Sequence, residues 1–244
     1  MTDAAETHPA GGTGRGDAPR VQGPRRIEAV ISDFGGVLTS PLVGSFQAFQ
    51  DTSGVPLVEL GKAMAMIGAR RGANPLFELE TGRLSEVEFL TEIGAQLTEQ
   101  LGRTIDMSGF GERYFAHLKP NEPMIGYMRD LRARGYKMAI CTNNVREWEQ
   151  RWRAMLPIDE IFDVVVDSGF VGTRKPEPRI YELTLEALGV EAGSALLIDD
   201  IEVNCTGARA LGIHAVWFQS TEQAIADTEA ALAEGSTRVE TTGA

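Results

Sequence analysis

Five short apolar runs, at residues 27–33, 137–142, 163–167, 195–199 and 214–218, are each bounded by Gly, Asp or Asn and are separated by helix-like stretches. Runs of that length and flanking predict β-strands. Met124, Met128 and Leu131 recur at helical spacing before Gly135, Pro178 opens a second pattern through Ile180, Leu183 and Leu188 to Gly189, and a third ends at Gly212. Strands alternating with helices imply crossover connections, hence an α/β fold with a Rossmann-like parallel sheet covered by helices on both faces. In such sheets ligands sit beyond the carboxyl ends of the strands.

The rhythm breaks between residues 44 and 116, where no run reads as a strand. Ser85 and Glu88 have capping-box spacing, and Phe89, Ile93, Leu97 and Leu101 mark one helix face before Gly102. The expectation is a small all-helical domain (44–116) inserted after the first strand, with the α/β core in 26–43 and 117–232. Residues 1–25 and 233–244, rich in Gly, Thr and Ala, read as unstructured tails. The first of these lacks the apolar segment of a signal peptide.

A chain of 244 residues can bury a core without staples, and its two cysteines, Cys141 and Cys205, do not have metal-ligand spacing. A reducing, cytoplasmic compartment is the default expectation. The net charge of −12 argues against a nucleic-acid footprint, which needs clustered Lys and Arg. No apolar stretch approaches the roughly 18 to 20 residues that span a bilayer. No membrane partner is expected.

Four polar segments lie at or just past the predicted strand ends. They are DFGGVLT (33–39), CTNN (141–144), TRKPEP (173–178) and LLIDDIEVN (196–204). A carboxylate, a hydroxyl with an amide, a lysine and an acidic pair, in that chain order, could together hold a metal and a phosphate. Each has a plainer use when taken alone: Asp33 and the Asp199-Asp200 pair as turn or helix caps, Lys175 as a solvated charge, Thr142 and Asn143 as turn residues, Asn204 as a cap.

Taken together, these motifs resemble those of the haloacid dehalogenase (HAD) superfamily, and the helical insertion looks like its cap domain. KPEPRIY (175–181) and LGIHAVWF (211–218) most resemble the subgroup containing the amino-terminal phosphatase domain of soluble epoxide hydrolases and the HAD domain fused to some acyl-CoA dehydrogenases. The resemblance covers residues 26–232. It implies a Mg²⁺-dependent hydrolase acting on a small phosphorylated substrate. Asp33 would be nucleophile and metal ligand, and Asp200 the likelier second carboxylate ligand, with Asp199 beside it and Asn204 in the outer shell. The carbonyl of Gly35 would be a further ligand. Lys175 would neutralise the phosphate and the nucleophile, and Thr142 and the amide at Asn143 would hydrogen-bond the transferring oxygens.

One position departs from that pattern. Phosphatases of this superfamily usually carry a second Asp two residues after the nucleophile as general acid and base, and this chain has Gly35 there. Its loss, typically worth about 10²- to 10⁴-fold, would slow alkyl phosphates more than aryl or acyl phosphates. Three readings follow: a phosphatase, a catalytically weak module that binds a phosphorylated ligand or a partner, and a dehalogenase. His117 and His214 read as structural, and Trp148, Trp152 and Trp217 as packing. Met64 and Met66 read as insertion core. Phe46, Phe49, Arg70, Arg71 and Phe77 offer apolar surface and positive charge in the insertion, and their pattern does not say which of them face the site.

Overall fold

The computed structural model describes residues 26–240. A five-stranded sheet has the order β3-β2-β1-β4-β5, built from β1 (Ala29–Ser32), β2 (Lys137–Thr142), β3 (Val164–Asp167), β4 (Ala195–Asp199) and β5 (His214–Trp217). Every neighbouring pair is parallel. The first and last strands end one residue earlier than their apolar runs, because the chain turns away there. Asp33 still donates its backbone N–H to Ile198 O at 2.9 Å.

Between β1 and β2 lie α1 (Val43–Ser53), α2 (Leu57–Arg71), α3 (Pro75–Glu80), α4 (Glu86–Leu101), α5 (Phe110–Ala116) and α6 (Glu122–Ala133). After β2 come α7 (Glu149–Arg153), α8 (Ile158–Ile161), α9 (Ser168–Val171), α10 (Pro178–Leu188), α11 (Glu202–Ala210) and α12 (Thr221–Glu240). Side chains alternate across the sheet as the period of two requires. Ala29 and Ile31 join Ile180, Tyr181 and Ala208 of α10 and α11. Val30, Met138 and Ile140 join Met124, Met128 and Leu131 of α6 on the other face. Helices thus cover both faces of the sheet, as the near-continuous apolar strands demand.

In α4 the predicted capping box forms: the Ser85 hydroxyl accepts from Glu88 N, and the Glu88 carboxylate accepts from Ser85 N. Gly102 ends that helix in the left-handed conformation. Phe89, Ile93 and Leu97 are buried and Leu101 packs against the same core. The helices α1–α5 contain no strand.

Three expectations need correction. Residues from 233 onward, expected to be unstructured, continue α12 as far as Glu240, since TEAALAE is made of strong helix formers. Met66, expected in the core, is 45% exposed, whereas Met64 packs against the core. Trp217 is also partly exposed, its indole N–H donating to Asp200 O at 3.0 Å, while Trp148 and Trp152 are buried as expected. The expected N-terminal tail lies outside the described residues, as do 241–244.

Candidate active site

Because β1, β2 and β4 are adjacent and parallel, their carboxyl ends bring the polar motifs together. Asp33 follows β1, Thr142 ends β2 and Asp199 ends β4. Lys175, on the loop before α10, is fully buried and bridges the two carboxylates, with Nζ 2.9 Å from Asp33 Oδ1 and 2.6 Å from Asp199 Oδ2. Burial alone would lower the Lys175 pKa, but the Asp199 and Asp33 charges outweigh it and hold the ammonium form well above the usual range.

Asp199 has both oxygens engaged. Its Oδ1 accepts from Ile201 N at 2.9 Å and from Asn204 Nδ2 at 3.0 Å. Asn204 is buried in turn, its carbonyl accepting from the Tyr181 hydroxyl at 2.8 Å. Asp33 Oδ1 accepts from Phe34 N at 2.7 Å as well as from Lys175, so Oδ2 is left without a protein partner among the described residues. Asp200 Oδ1 is buried with no hydrogen-bond partner. An orphaned buried carboxylate oxygen asks for a ligand that the protein itself does not supply.

Carboxylate oxygens of Asp33, Asp199 and Asp200 can lie within 4.8 Å of one another. Burial, outweighing the opposing Lys175 charge, and then the Asp199 and Asp200 charges raise the Asp33 pKa to about 7. Burial followed by the Asp199 charge raises Asp200 to about 6. Crowded, desolvated carboxylates of this kind are stabilised by a divalent cation with oxygen preference. The donor set therefore fits Mg²⁺. Gly36 makes the approach possible: its φ is +80°, and a Cβ there would stand 2.1 Å from Asp200 Oδ2.

The remaining predicted residues divide between contact and bracing. Thr142 is buried at the carboxyl end of β2. The Asn143 side chain clasps the Lys175 backbone, donating to its carbonyl at 3.0 Å and accepting from its N–H at 2.8 Å. That clasp commits the Asn143 side chain to holding the Lys175 backbone. The Gly35 backbone is not at positive φ, but a Cβ there would meet Leu42 Cδ2 at 3.1 Å. A side chain at residue 35 would therefore need the end of Leu42 to shift by a few tenths of an ångström.

Beyond these strand ends opens a cavity of about 250 Å³ lined by Gly35, Thr142 and Asn143 from the core and by Phe46, Met64 and Phe110 among the many apolar residues of the insertion. Sequence reasoning missed the polar members that the insertion supplies. Glu80 and Tyr114 line it, and Glu80 Oε2 accepts from Arg174 Nε at 2.6 Å. Burial, then the Glu80, Asp33 and Asp200 charges, raise the Tyr114 pKa far above its usual value, which keeps the phenol protonated. No local pattern marks Glu80 or Tyr114; only Arg174, next to Lys175, lies inside a motif. Arg70 and Arg71 are engaged elsewhere, by Gln96 and by Glu78 and Glu92. Phe77 carries Arg174 over its ring at 3.9 Å.

The model of the haloacid dehalogenase-like hydrolases matches residues 27–212. The chain belongs to this HAD-like hydrolase family. It is 31% identical over 236 residues to mouse (Mus musculus) acyl-CoA dehydrogenase family member 10, covering 93% of this chain and 21% of that protein. It is 29% identical over 180 residues to a glyceraldehyde 3-phosphate phosphatase of Pyrococcus abyssi, covering 67% of this chain and 74% of that protein. Bifunctional epoxide hydrolase 2 of Sus scrofa is 24% identical over 212 residues, with 83% of this chain and 38% of that protein covered. The chain thus spans about a fifth of the mouse protein and well under half of the porcine one. Among solved structures, a HAD family enzyme of Bacteroides thetaiotaomicron, in complex with magnesium and inorganic phosphate, superposes with a TM-score of 0.57 at 19% identity, covering 78% of this chain and 93% of that one. That HAD-like likeness is one of fold. Among the described residues no helix is long and apolar enough to cross a membrane.

Proposed function

We propose that this HAD-like hydrolase is a Mg²⁺-dependent phosphatase of a small phosphorylated metabolite, acting through an aspartyl phosphate on Asp33. The observation that carries the reading is the buried Lys175 ammonium bridging Asp33 and Asp199 beside the orphaned Asp200 oxygen. This is a charge arrangement suited to an anionic nucleophile and an anionic substrate. Asp33, Asp200 and the Gly35 carbonyl would hold the ion, while Asp199 orients Lys175 and is fixed by Asn204. When bound, Mg²⁺ lowers the repulsion between carboxylate and phosphate. Asp33 Oδ2, free of protein hydrogen bonds, attacks phosphorus; Lys175, Thr142 and the Asn143 backbone amide stabilise the charge on the transferring oxygens. The cavity above them favours a leaving group with an apolar body, since most of its walls offer no hydrogen bond.

Gly35, with Leu42 filling the space beside it, favours a second reading: a module that binds a phosphorylated ligand without turning it over. Phosphate release from a panel of aryl and alkyl phosphates, with Mg²⁺ and with chelator, separates the two. Release that needs Mg²⁺ and disappears in Asp33→Asn, with residual activity below about one hundredth, supports the phosphatase. Saturable binding of the same esters without release supports the module.

A further inference from the structure

Two carboxylates of the insertion line the cavity, Glu80 at the end of α3 and Glu86 at the start of α4. The Glu80 side chain is 15% exposed, its Oε2 is held by Arg174 Nε, and its Oε1 takes no hydrogen bond among the described residues. Arg174 is fixed twice by α3, through Glu80 and through the Phe77 ring. It is also peptide-bonded to Lys175, whose ammonium holds Asp33. A short chain of contacts therefore sets this carboxyl relative to the nucleophile, in the cavity that Gly35, Thr142 and Asn143 also line.

We propose that Glu80 is the proton carrier of this site, supplying from the helical insertion the acid and base function that no side chain supplies at residue 35. The inference rests on the phosphatase reading above. In the first step the Asp33 oxygen bonds to phosphorus, the ester P–O bond breaks, and the Glu80 proton passes to the departing oxygen, leaving an alcohol and the Glu80 carboxylate. In the second, a water oxygen bonds to phosphorus, the aspartyl O–P bond breaks, and Glu80 takes a proton from that water. Inorganic phosphate leaves, and both carboxyl groups return to their starting states. Burial raises the Glu80 pKa and favours the proton-bearing form, against the pull of Arg174 and Lys175. After donation the Arg174 charge compensates the carboxylate. Tyr114 and Glu86 line the same cavity as Glu80, and the raised pKa of Tyr114 keeps it neutral.

Glu80→Gln retains the shape of the side chain and an acceptor for Arg174 but carries no exchangeable acid. The test measures kcat/KM of wild type and Glu80→Gln, with Mg²⁺, for an alkyl and an aryl phosphate of matched bulk. The expected loss is about 10²-fold on the alkyl ester and about tenfold less on the aryl ester, whose departing oxygen needs little protonation. Gly35→Asp in the Glu80→Gln background is expected to recover alkyl turnover, with Leu42 moving aside. Wild type alone provides an arm that no folding defect can obscure: its alkyl-to-aryl ratio of kcat/KM should fall as pH rises and Glu80 loses its proton. Equal losses on both esters in Glu80→Gln, or a wild-type ratio flat with pH, would overturn the proposal and leave the Glu80–Arg174 pair as a strut. Absence of release by wild type from either ester, or undiminished release by Asp33→Asn, is a different result, and it would remove the phosphatase reading together with this inference.

Discussion

Lys175 is a fully buried ammonium whose retention depends on its two carboxylate partners. Removing one member of such a pair strands the other's charge in a low-dielectric interior, which typically costs about 3–5 kcal/mol. Lys175→Ala is therefore expected to lower unfolding free energy by about that amount in denaturant titrations, as well as abolishing phosphate release. The double variant Lys175→Ala/Asp199→Ala should lose less than the sum of the two singles, because the partners share one interaction. Additive losses would show that the bridge carries little coupling. Gly36 is constrained in another way: any side chain there must displace Asp200, so Gly36→Ala should weaken Mg²⁺ binding measured by calorimetry.

Among the elements, α4 is the clearest case of local sequence and tertiary packing agreeing. Its capping box satisfies two backbone N–H groups at the start, and Ile93 and Leu97 are fully buried. Ser85→Ala is expected to cost about 1 kcal/mol and Ile93→Ala about 2–5 kcal/mol, read from the shift of the unfolding midpoint. If the insertion unfolds apart from the core, Ile93→Ala should split the transition in two. In α3 the outcome is less local. Its Asn74 cap and Pro75 start are legible, but the use of Glu80 and Phe77 to clamp Arg174 depends on where the insertion lies over the sheet.

At the scale of the whole molecule, the crowded carboxylates make stability depend on pH and on metal together. Asp33 titrates near 3.8 in the unfolded chain and about 7 in the fold, and Asp200 near 3.8 and about 6. Between those limits the folded state holds protons that the unfolded state has released, so the contribution of these two carboxyls to metal-free stability is fully present below about pH 4 and is lost as pH rises to about 7. Mg²⁺ competes for the same oxygens once they are ionised. The rise in Tm on adding Mg²⁺ should therefore be larger at pH 8 than at pH 5, measured by thermal melts across that range. An equal rise at both pH values would place the ion elsewhere.

The sequence by itself determined the parallel α/β sheet, the all-helical stretch after β1 and the grouping of polar motifs at strand ends. Each of these is written in neighbouring residues: a short apolar run bounded by Gly, Asp or Asn, a capping box, a glycine at a helix end, a carboxylate after an apolar run. Only the tertiary structure decided which oxygens stay free. Lys175 meets Asp199 across 24 residues and Arg174 meets Glu80 across 94, and the Leu42 side chain lies against Gly35. The exposure of Met66 and Trp217 was equally out of reach. Hydrophobic periodicity is a local property of the chain, whereas the partner of a charged side chain is set by sheet order and by the seating of the insertion, which no short window of residues contains.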